Sequence, residues 1–243
     1  MKLKKMTALK RAVLQFTALF IVVLLLLFSC GDGSVDHVNG NRGKGGGLNS
    51  STFPPPIISD PGLTLPYVIS RNFVNLPNGT TLYVNVEMIN GEYLDKNSPS
   101  YAPGDGIYDT NYIGEYQISV YSAIDQPKAV FTAPVVFSRG KLNFDKQFQL
   151  VFDDYNGDGN PDFTLGQWGT AKGNVYQIYT VASDSSIKQL PCENLSAASF
   201  DYSIALSKTS PTSFTCEGYD DKTNEKVTRS YNWQDGCFVL ELP

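Results

Sequence analysis

The sequence predicts an all-β protein built as an antiparallel β-sandwich or as two packed sheets. Tyr and Phe number 14 each, beside 21 Gly and 14 Pro; aromatic residues favour strands, whereas Gly and Pro favour turns. Several short segments alternate apolar and polar residues with the two-residue period of a half-buried strand. No long segment has the period of a helix, and residues 193–198 are the one weak helical candidate. About eleven strands are therefore expected.

The first 29 residues predict a lipoprotein signal peptide, which is removed from the mature chain. A basic start, with Lys and Arg before residue 12, leads into an apolar run that ends at Cys30. The sequence Leu27-Phe28-Ser29-Cys30 resembles the bacterial lipobox, whose Cys receives a lipid and becomes the new N-terminus. Phe28 is bulkier than the usual residue there, and residues 12–28 are just long enough to form an uncleaved anchor. Both alternatives predict an exported protein, anchored to the bacterial cell membrane by lipid or by this segment and facing outward.

Residues 30–61 predict a flexible tether, rich in Gly, Ser and Asn and stiffened by the prolines at 54–56. The β-rich domain is expected to span residues 62–243. The tether would hold this domain away from the membrane surface.

Charge and histidine content exclude several classes of function. Removal of the five basic residues of the signal leaves 14 basic and 24 acidic residues, a net charge of −10. This charge argues against nucleic acid as a partner and suits the binding of cations. The one histidine, His37, lies in the tether, so the folded domain lacks the histidine of a Ser-His-Asp, Cys-His or zinc–histidine site.

The strands are placed by alternation and by the turns between them. A Leu-Pro-Asn-Gly turn at residues 76–79 predicts a first hairpin, residues 93–112 predict a long polar loop, and Pro134 predicts an edge strand or a bulge. A Gln-Asp-Gly sequence at 234–236 predicts a tight hairpin near the C-terminus. The predicted strands are residues 67–74, 82–88, 116–120, 129–137, 148–152, 162–167, 175–181, 187–190, 200–206, 213–217, 227–233 and 237–242.

One turn has the spacing of a calcium loop. Side-chain oxygens occur at relative positions 1, 3, 5 and 9 of the turn, on Asp154, Asn156, Asp158 and Asp162. A hard divalent cation takes six to eight oxygen ligands, and alternate side chains of a tight loop can point to one centre. Gly159 permits the sharp turn that directs the Asn160 carbonyl inward. Leu165 replaces the bidentate Glu of an EF-hand, and the flanking alternation indicates strands, so the loop joins a hairpin.

These residues, in the sequence DDYNGDGNPDF, resemble the D-x-N-G-D-G-x-x-D motif of FG-GAP and VCBS-type repeats. Such repeats occur in integrin-type propellers and in many bacterial surface proteins. The resemblance implies Ca²⁺ bound by Asp154, Asn156, Asp158, Asp162 and the Asn160 carbonyl. The alternative is a metal-free turn, because Asn, Asp and Gly also favour turns without a metal. A single motif in about 180 foldable residues argues against a full propeller, which repeats a four-stranded blade.

A second turn, from Asp105 to Asp109, copies only the latter half of this motif. Tyr101 and Pro103 stand where the first ligands would be. An ordinary Gly/Asp turn is therefore favoured over a second cation site.

Three functions remain open at this point. The preferred hypothesis is a membrane-tethered calcium-binding lipoprotein that acts as a binding or structural module at the cell surface, not as an enzyme. A related hypothesis makes it an adhesin for a surface protein or a polysaccharide. The alternative is an enzyme acting on carbohydrate or cell wall through a carboxylate pair. Candidate carboxylates for the enzyme are Glu87, Glu92, Glu115 and Asp109, and their spacing selects no pair.

Aromatic and cysteine residues leave further alternatives open. Trp168 and Trp233 fit sheet cores, although tryptophan can also stack on sugar rings. An exported location permits one disulfide among Cys192, Cys216 and Cys237, and the sequence does not select the pair. Three buried thiols are the alternative.

Overall fold

In the computed structural model, residues 63–138, 140–220 and 222–241 are described, and they form fourteen strands in three antiparallel sheets. This part of the chain contains no α-helix. The all-β prediction is confirmed, with three packed sheets where two were expected. The predicted signal, Cys30, His37 and the tether lie outside the described residues.

The first sheet contains five strands, with β1 (Tyr67–Asn75), β2 (Thr81–Asp95), β3 (Thr110–Tyr121) and β4 (Phe131–Val135) in that order. The fifth, β5 (Leu142–Phe144), pairs with β3 beside β4. The predicted Leu-Pro-Asn-Gly turn joins β1 to β2. The strand that contains Pro134 pairs with β3 alone, which confirms its prediction as an edge strand.

The second sheet has the order β10-β8-β7-β6, with β9 paired to β8. Its strands are β6 (Phe152–Asp153), β7 (Asp162–Thr170), β8 (Gly173–Val181), β9 (Ile187–Leu190) and β10 (Ser196–Ala197). Since β6 and β10 contain only two residues each, the long β7–β8 pair forms most of this sheet.

The third sheet is a meander of β11 (Ser207–Ser210), β12 (Ser213–Tyr219), β13 (Lys226–Gln234) and β14 (Cys237–Leu240). Positive φ angles of 50° and 85° at the Asp-Gly pair 235–236 match the two-residue turn that suits the twist of a hairpin. The predicted C-terminal hairpin is therefore confirmed.

Two apolar clusters place the second sheet between the other two. Phe163 and Tyr179 join the cluster that packs the second sheet on the first. Tyr176 and Ile178, on the opposite face of β8, join the cluster that packs it on the third. Side chains on a strand alternate between faces, so both faces of this sheet are covered. As a result, β7 is buried at every position from Asp162 to Gln167, and burial does not alternate along it.

Two predicted segments differ from the structure. The long polar loop predicted at 93–112 is shorter, since β2 continues to Asp95 and β3 begins at Thr110. The strand predicted at 200–206 is wrong: this segment forms no strand, and Phe200 is half-exposed. It lies along β7 through other bonds, including one from the Gly166 amide to the Tyr202 carbonyl at 2.8 Å.

Short elements account for the other differences. The weak helical candidate at 193–198 is a turn followed by β10, whose two residues pair with β8. The short strands β5 and β11 have no counterpart among the predicted strands. Three or four residues are too few to establish a period.

Candidate metal centre

The turn with calcium-loop spacing joins β6 to β7, as predicted for a hairpin. Only two residue pairs connect these strands, Phe152 with Phe163 and Asp153 with Asp162. The two phenylalanine rings are buried edge to face at 5.5 Å and hold the base of the hairpin. The strand predicted at 148–152 is mostly irregular, and its first residue forms one parallel bridge to β1.

Carboxylate and amide oxygens organise the backbone of the loop. Asp154 accepts hydrogen bonds from the amides of Gly157, at 2.8 Å, and Gly159, at 3.1 Å. Asn156 accepts one from the amide of Asp158, and its own side-chain amide donates to the Asp158 carboxylate, both at 3.1 Å. Gly157 and Gly159 have φ angles of +75° and +82°, which Gly adopts at little cost. For Gly159 this is the turn role that the motif predicts.

Asp162 is the buried acid of the loop, with no exposed surface. One carboxylate oxygen accepts the amide of Tyr155 at 2.8 Å, and the other is buried without a hydrogen bond. Burial raises the pKa of Asp162 to about 7; the Thr180 hydroxyl and the Tyr155 amide oppose the rise, and the charges of Asp158 and Asp154 add to it. The Thr180 hydroxyl lowers the pKa of Asp162 as a nearby donor, but it makes no hydrogen bond of full geometry to the carboxylate. An incompletely satisfied buried carboxylate oxygen is costly, and a bound cation would satisfy it.

Tyr155 anchors the loop to the third sheet. Its side chain is fully buried, its ring packs edge to face on Phe214 with centroids 5.8 Å apart, and its hydroxyl accepts the amide of Leu206 at 3.2 Å. The residue stands between two predicted ligand positions, and nothing in the motif indicates this packing role.

Lys208, on β11, is a second anchor that the sequence did not reveal. Its ammonium group donates to the backbone carbonyl of Asp154 and forms an ion pair of 3.4 Å with Asp153. Both side chains of the ion pair are mostly buried, with exposures of 21% and 16%. More than 50 residues separate these groups along the chain, so no local pattern could connect them.

The loop offers hard oxygen donors of the kind that calcium takes, and the orphaned oxygen of Asp162 suits a cation. The carboxylates of Asp154, Asp158 and Asp162 lie within electrostatic reach of one another. Within the described residues, no group of three or more His, Cys, Asp or Glu side chains is close enough together to hold a metal ion. The oxygen donors of the loop therefore suit calcium. In this structure, the Asp154 and Asp158 carboxylates accept hydrogen bonds from backbone amides of the loop.

The second turn, unlike the first, has only exposed carboxylates, and one of them is paired with a lysine. Asp105 and Asp109 are both exposed, and Asp109 pairs with Lys96 at 3.6 Å. Gly106, between them, lies against the ring of Trp168. Half-buried Trp168 therefore contacts this turn from β7, while Trp233 packs on Phe238 with ring centroids 4.7 Å apart.

The four carboxylates considered for glycosidase chemistry have different environments. Glu87 is buried and accepts hydrogen bonds from neutral groups on its own and the adjacent strand. Glu92, Glu115 and Asp109 are exposed. The β2–β3 register sets Glu87 opposite Gln117 and Glu115 opposite Asn90, so neither faces a second candidate carboxylate across the strands.

The cysteines lie near the third sheet. Cys216 on β12 is a free, buried thiol, and burial raises its pKa to about 11. Half-buried Cys192 forms an isolated bridge with Phe238, the neighbour of Cys237.

No family model, curated protein or solved structure matches this chain. The resemblance of residues 154–162 to FG-GAP and VCBS-type repeats therefore stays a prediction from the motif. Among the described residues, no helix has the length and apolar character needed to cross a membrane.

Proposed function

We propose that this protein is a calcium-binding module, tethered to the outer face of a bacterial membrane through Cys30, that serves binding or structure rather than catalysis. Asp154, Asn156, Asp158 and Asp162, with the Asn160 carbonyl, would hold the ion. The observation that carries the proposal is the fully buried Asp162 carboxylate, one oxygen of which has no hydrogen-bond partner.

Electrostatics favours a cation at this loop. Asp158 and Asp154 both raise the pKa of Asp162 through their charges, and a divalent cation would convert this mutual repulsion into attraction. Lys208 satisfies Asp153 and the Asp154 carbonyl, but it makes no hydrogen bond to Asp158 or Asp162. The Asp158 and Asp162 carboxylates therefore have no lysine partner in Lys208, and their present donors are amide groups of the loop itself.

The position of the loop suggests what the ion would do. Tyr155 and Lys208 join the loop to the third sheet, while β6 and β7 belong to the second. An ion that fixes the loop would thus also stabilise the packing of these two sheets. Because calcium would bind the folded state and not the unfolded chain, it would raise the free energy of unfolding by mass action.

The test is thermal unfolding of the full-length chain, purified in detergent, in calcium and in chelator. The wild type is compared with the double variant Asp154→Asn/Asp158→Asn. The matched control is Asp105→Asn/Asp109→Asn, which makes the same change of charge in the second turn. Isothermal titration with calcium gives the number of ions bound by each protein.

The proposal expects calcium to raise the unfolding midpoint of the wild type and the control by several degrees, and to leave the Asp154/Asp158 variant unchanged. Loss of the effect only in the Asp105/Asp109 variant would move the site to the second turn. A wild type that binds no calcium would leave residues 154–162 as a metal-free turn.

A further inference from the structure

A large groove, separate from the acidic loop, is lined mainly by residues of the second and third sheets, with Phe137 and Ser138 after β4. It encloses about 710 Å³, within the range of about 300–1,000 Å³ typical of small-molecule sites. The β7–β8 turn and the segment before β10 line it from the second sheet, and Tyr219, Arg229 and Tyr231 line it from the third.

The charge of the groove is opposite to that of the chain. Lys172 and Arg229 are the charged residues among its described lining, and both are cations, although the whole chain has a net charge of −5. Both are half-buried, and neither forms an ion pair within the described part of the protein. The positive charge of Arg229 helps to lower the pKa of Asp220. The Asp220 carboxylate, however, accepts hydrogen bonds from the backbone amides of residues 222 and 223 and forms no ion pair with Arg229. Two partly desolvated cations that form no ion pair with a described carboxylate favour an anionic ligand.

Tyr219 positions both cations. The guanidinium of Arg229 donates to the Tyr219 carbonyl at 2.7 Å and to the Ser196 hydroxyl at 3.4 Å. The ammonium of Lys172 lies 5.5 Å from the centroid of the Tyr219 ring, a cation–π distance. A guanidinium has five N–H donors, so Arg229 keeps donors for a ligand carboxylate.

Neutral hydrogen-bonding groups line part of the remaining groove, beside apolar residues such as Val175, Leu195 and Leu240. Asn174 is 1% exposed; its side-chain amide donates to the Asp201 carbonyl at 3.2 Å, and its side-chain oxygen has no partner. Gln189 and Asn194 also line the groove and are exposed. Amide side chains offer both donors and acceptors, which is what the hydroxyl groups of a sugar require. The remaining polar lining residues are Ser138, Thr170, Gln177 and Ser196.

We propose that this groove binds a short acidic oligosaccharide built of uronic acid units. The planar fork of Arg229 suits a sugar carboxylate, since a guanidinium and a carboxylate can form two parallel hydrogen bonds. Lys172 adds a second positive charge, and the amides and hydroxyls bind the sugar hydroxyls. This inference does not depend on calcium binding by residues 154–162.

The direct test is isothermal titration of the full-length chain, in detergent and chelator, with trigalacturonate. The chelator removes calcium, which would otherwise bind both the acidic loop and the uronate carboxylates. Maltotriose, a neutral sugar of the same length, is the control ligand, and a tri-glutamate peptide is the control anion. The proposal expects saturable binding of trigalacturonate alone. Equal binding of maltotriose would overturn the role of the cations, and equal or tighter binding of tri-glutamate would overturn the assignment to a sugar.

Variants then locate the site. Lys172→Gln and Arg229→Lys should each weaken trigalacturonate binding by about tenfold or more, the loss expected when a hydrogen bond to a charged group is removed. Arg229→Lys keeps the charge and removes the planar fork. The matched control is Lys128→Gln, an exposed lysine that does not line the groove, and it should bind as the wild type does. Unfolding midpoints confirm that each variant is folded; equal affinities for Lys172→Gln, Arg229→Lys and Lys128→Gln would place binding elsewhere.

Discussion

The backbone amide of Tyr155 donates a 2.8 Å hydrogen bond to one carboxylate oxygen of Asp162, and the other oxygen of that carboxylate is buried with no partner. The same tyrosine packs on Phe214 of the third sheet. The buried acid of the loop is therefore connected, through one residue, to the interface between two sheets. A change in the charge of Asp162 should consequently affect the stability of the whole domain.

The first prediction concerns this carboxyl group in the metal-free protein. Burial raises the pKa of Asp162 from 3.8 to about 7, so between these values the folded state holds a proton that the unfolded chain releases. The free energy of unfolding should therefore fall as the pH rises from about 4 to 7, and the loss should be complete above the folded pKa. The Asp162→Asn variant lacks this contribution.

Urea unfolding in chelator at pH 4.5 and pH 8 measures the effect. As the pH rises, the free energy of unfolding of the wild type should fall relative to that of Asp162→Asn. Calcium should reverse that trend because it binds the ionised carboxylate. A difference that stays constant across this range would show that Asp162 has an ordinary pKa.

The second prediction separates steric contact from backbone strain in the loop. A Cβ atom at Gly157 would lie 2.9 Å from the Thr212 side chain and 3.2 Å from the Pro211 carbonyl, whereas one at Gly159 would meet nothing within 4 Å. Both residues have positive φ angles, so Ala should cost about 1 kcal/mol at either position. Gly157→Ala should lower the free energy of unfolding by about 1–2 kcal/mol more than Gly159→Ala, because the β11–β12 turn must shift to make room for the methyl group. Chemical denaturation of the two variants checks this order, and equal losses would contradict the contact with Thr212.

The third prediction tests the link from Lys208 to the loop. Lys208→Met removes the ion pair to Asp153 and the bond to the Asp154 carbonyl and leaves a mostly buried carboxylate unpaired. A loss of about 1–3 kcal/mol in the free energy of unfolding is expected, between the values for exposed and fully buried pairs. Lys226→Met is the control, since Lys226 pairs with Glu217 at the surface and its loss should leave stability unchanged. If both variants unfold at the same denaturant concentration as the wild type, Lys208 is not an anchor.

The sequence predicted those parts of the fold that depend on local patterns. The strand at 187–190 matches β9 from Ile187 to Leu190, and the Asp-Gly turn at 235–236 has the expected positive φ angles. Alternation failed at residues 200–206, because Tyr202 and Ile204 are held against β7 by one isolated backbone bond to Gly166 and by bonds to the Thr164 hydroxyl rather than by a strand ladder. Period alone does not distinguish these two arrangements.

For the candidate site, the motif gave the oxygen-bearing residues but not their surroundings. Lys208 contacts Asp154 from more than 50 residues away along the chain. Asp162 is bound by a backbone amide, that of Tyr155, which no side-chain pattern can indicate. The groove near Arg229 had no signal either, since its cations stand on β13 and in the β7–β8 turn. Such sites form where the sheets pack together, and local sequence patterns do not show which distant residues meet there.

The last prediction concerns Glu87, the buried carboxylate of the first sheet. It accepts hydrogen bonds from Ser119 at 2.6 Å, Tyr121 at 2.9 Å and Asn85 at 3.1 Å. A glutamine in its place presents an N–H group to one of these donors, so Glu87→Gln should lower the free energy of unfolding by about 1–3 kcal/mol. Urea unfolding measures this loss. Glu115→Gln, the same change at an exposed site on β3, should leave stability unchanged.

A second measurement on the same variant excludes a purely steric cause. Burial, together with the hydrogen bond and the charge of Glu87, raises the pKa of Tyr121 to about 12. Removal of the charge should lower that pKa toward its ordinary value of 10.0, whereas Glu115→Gln should leave it where it is. NMR titration of tyrosine labelled with ¹³C resolves Tyr121 among the 14 tyrosines of the chain. If the pKa of Tyr121 is the same in both variants, Glu87 does not contribute to the raised pKa of Tyr121, and the stability loss has another cause.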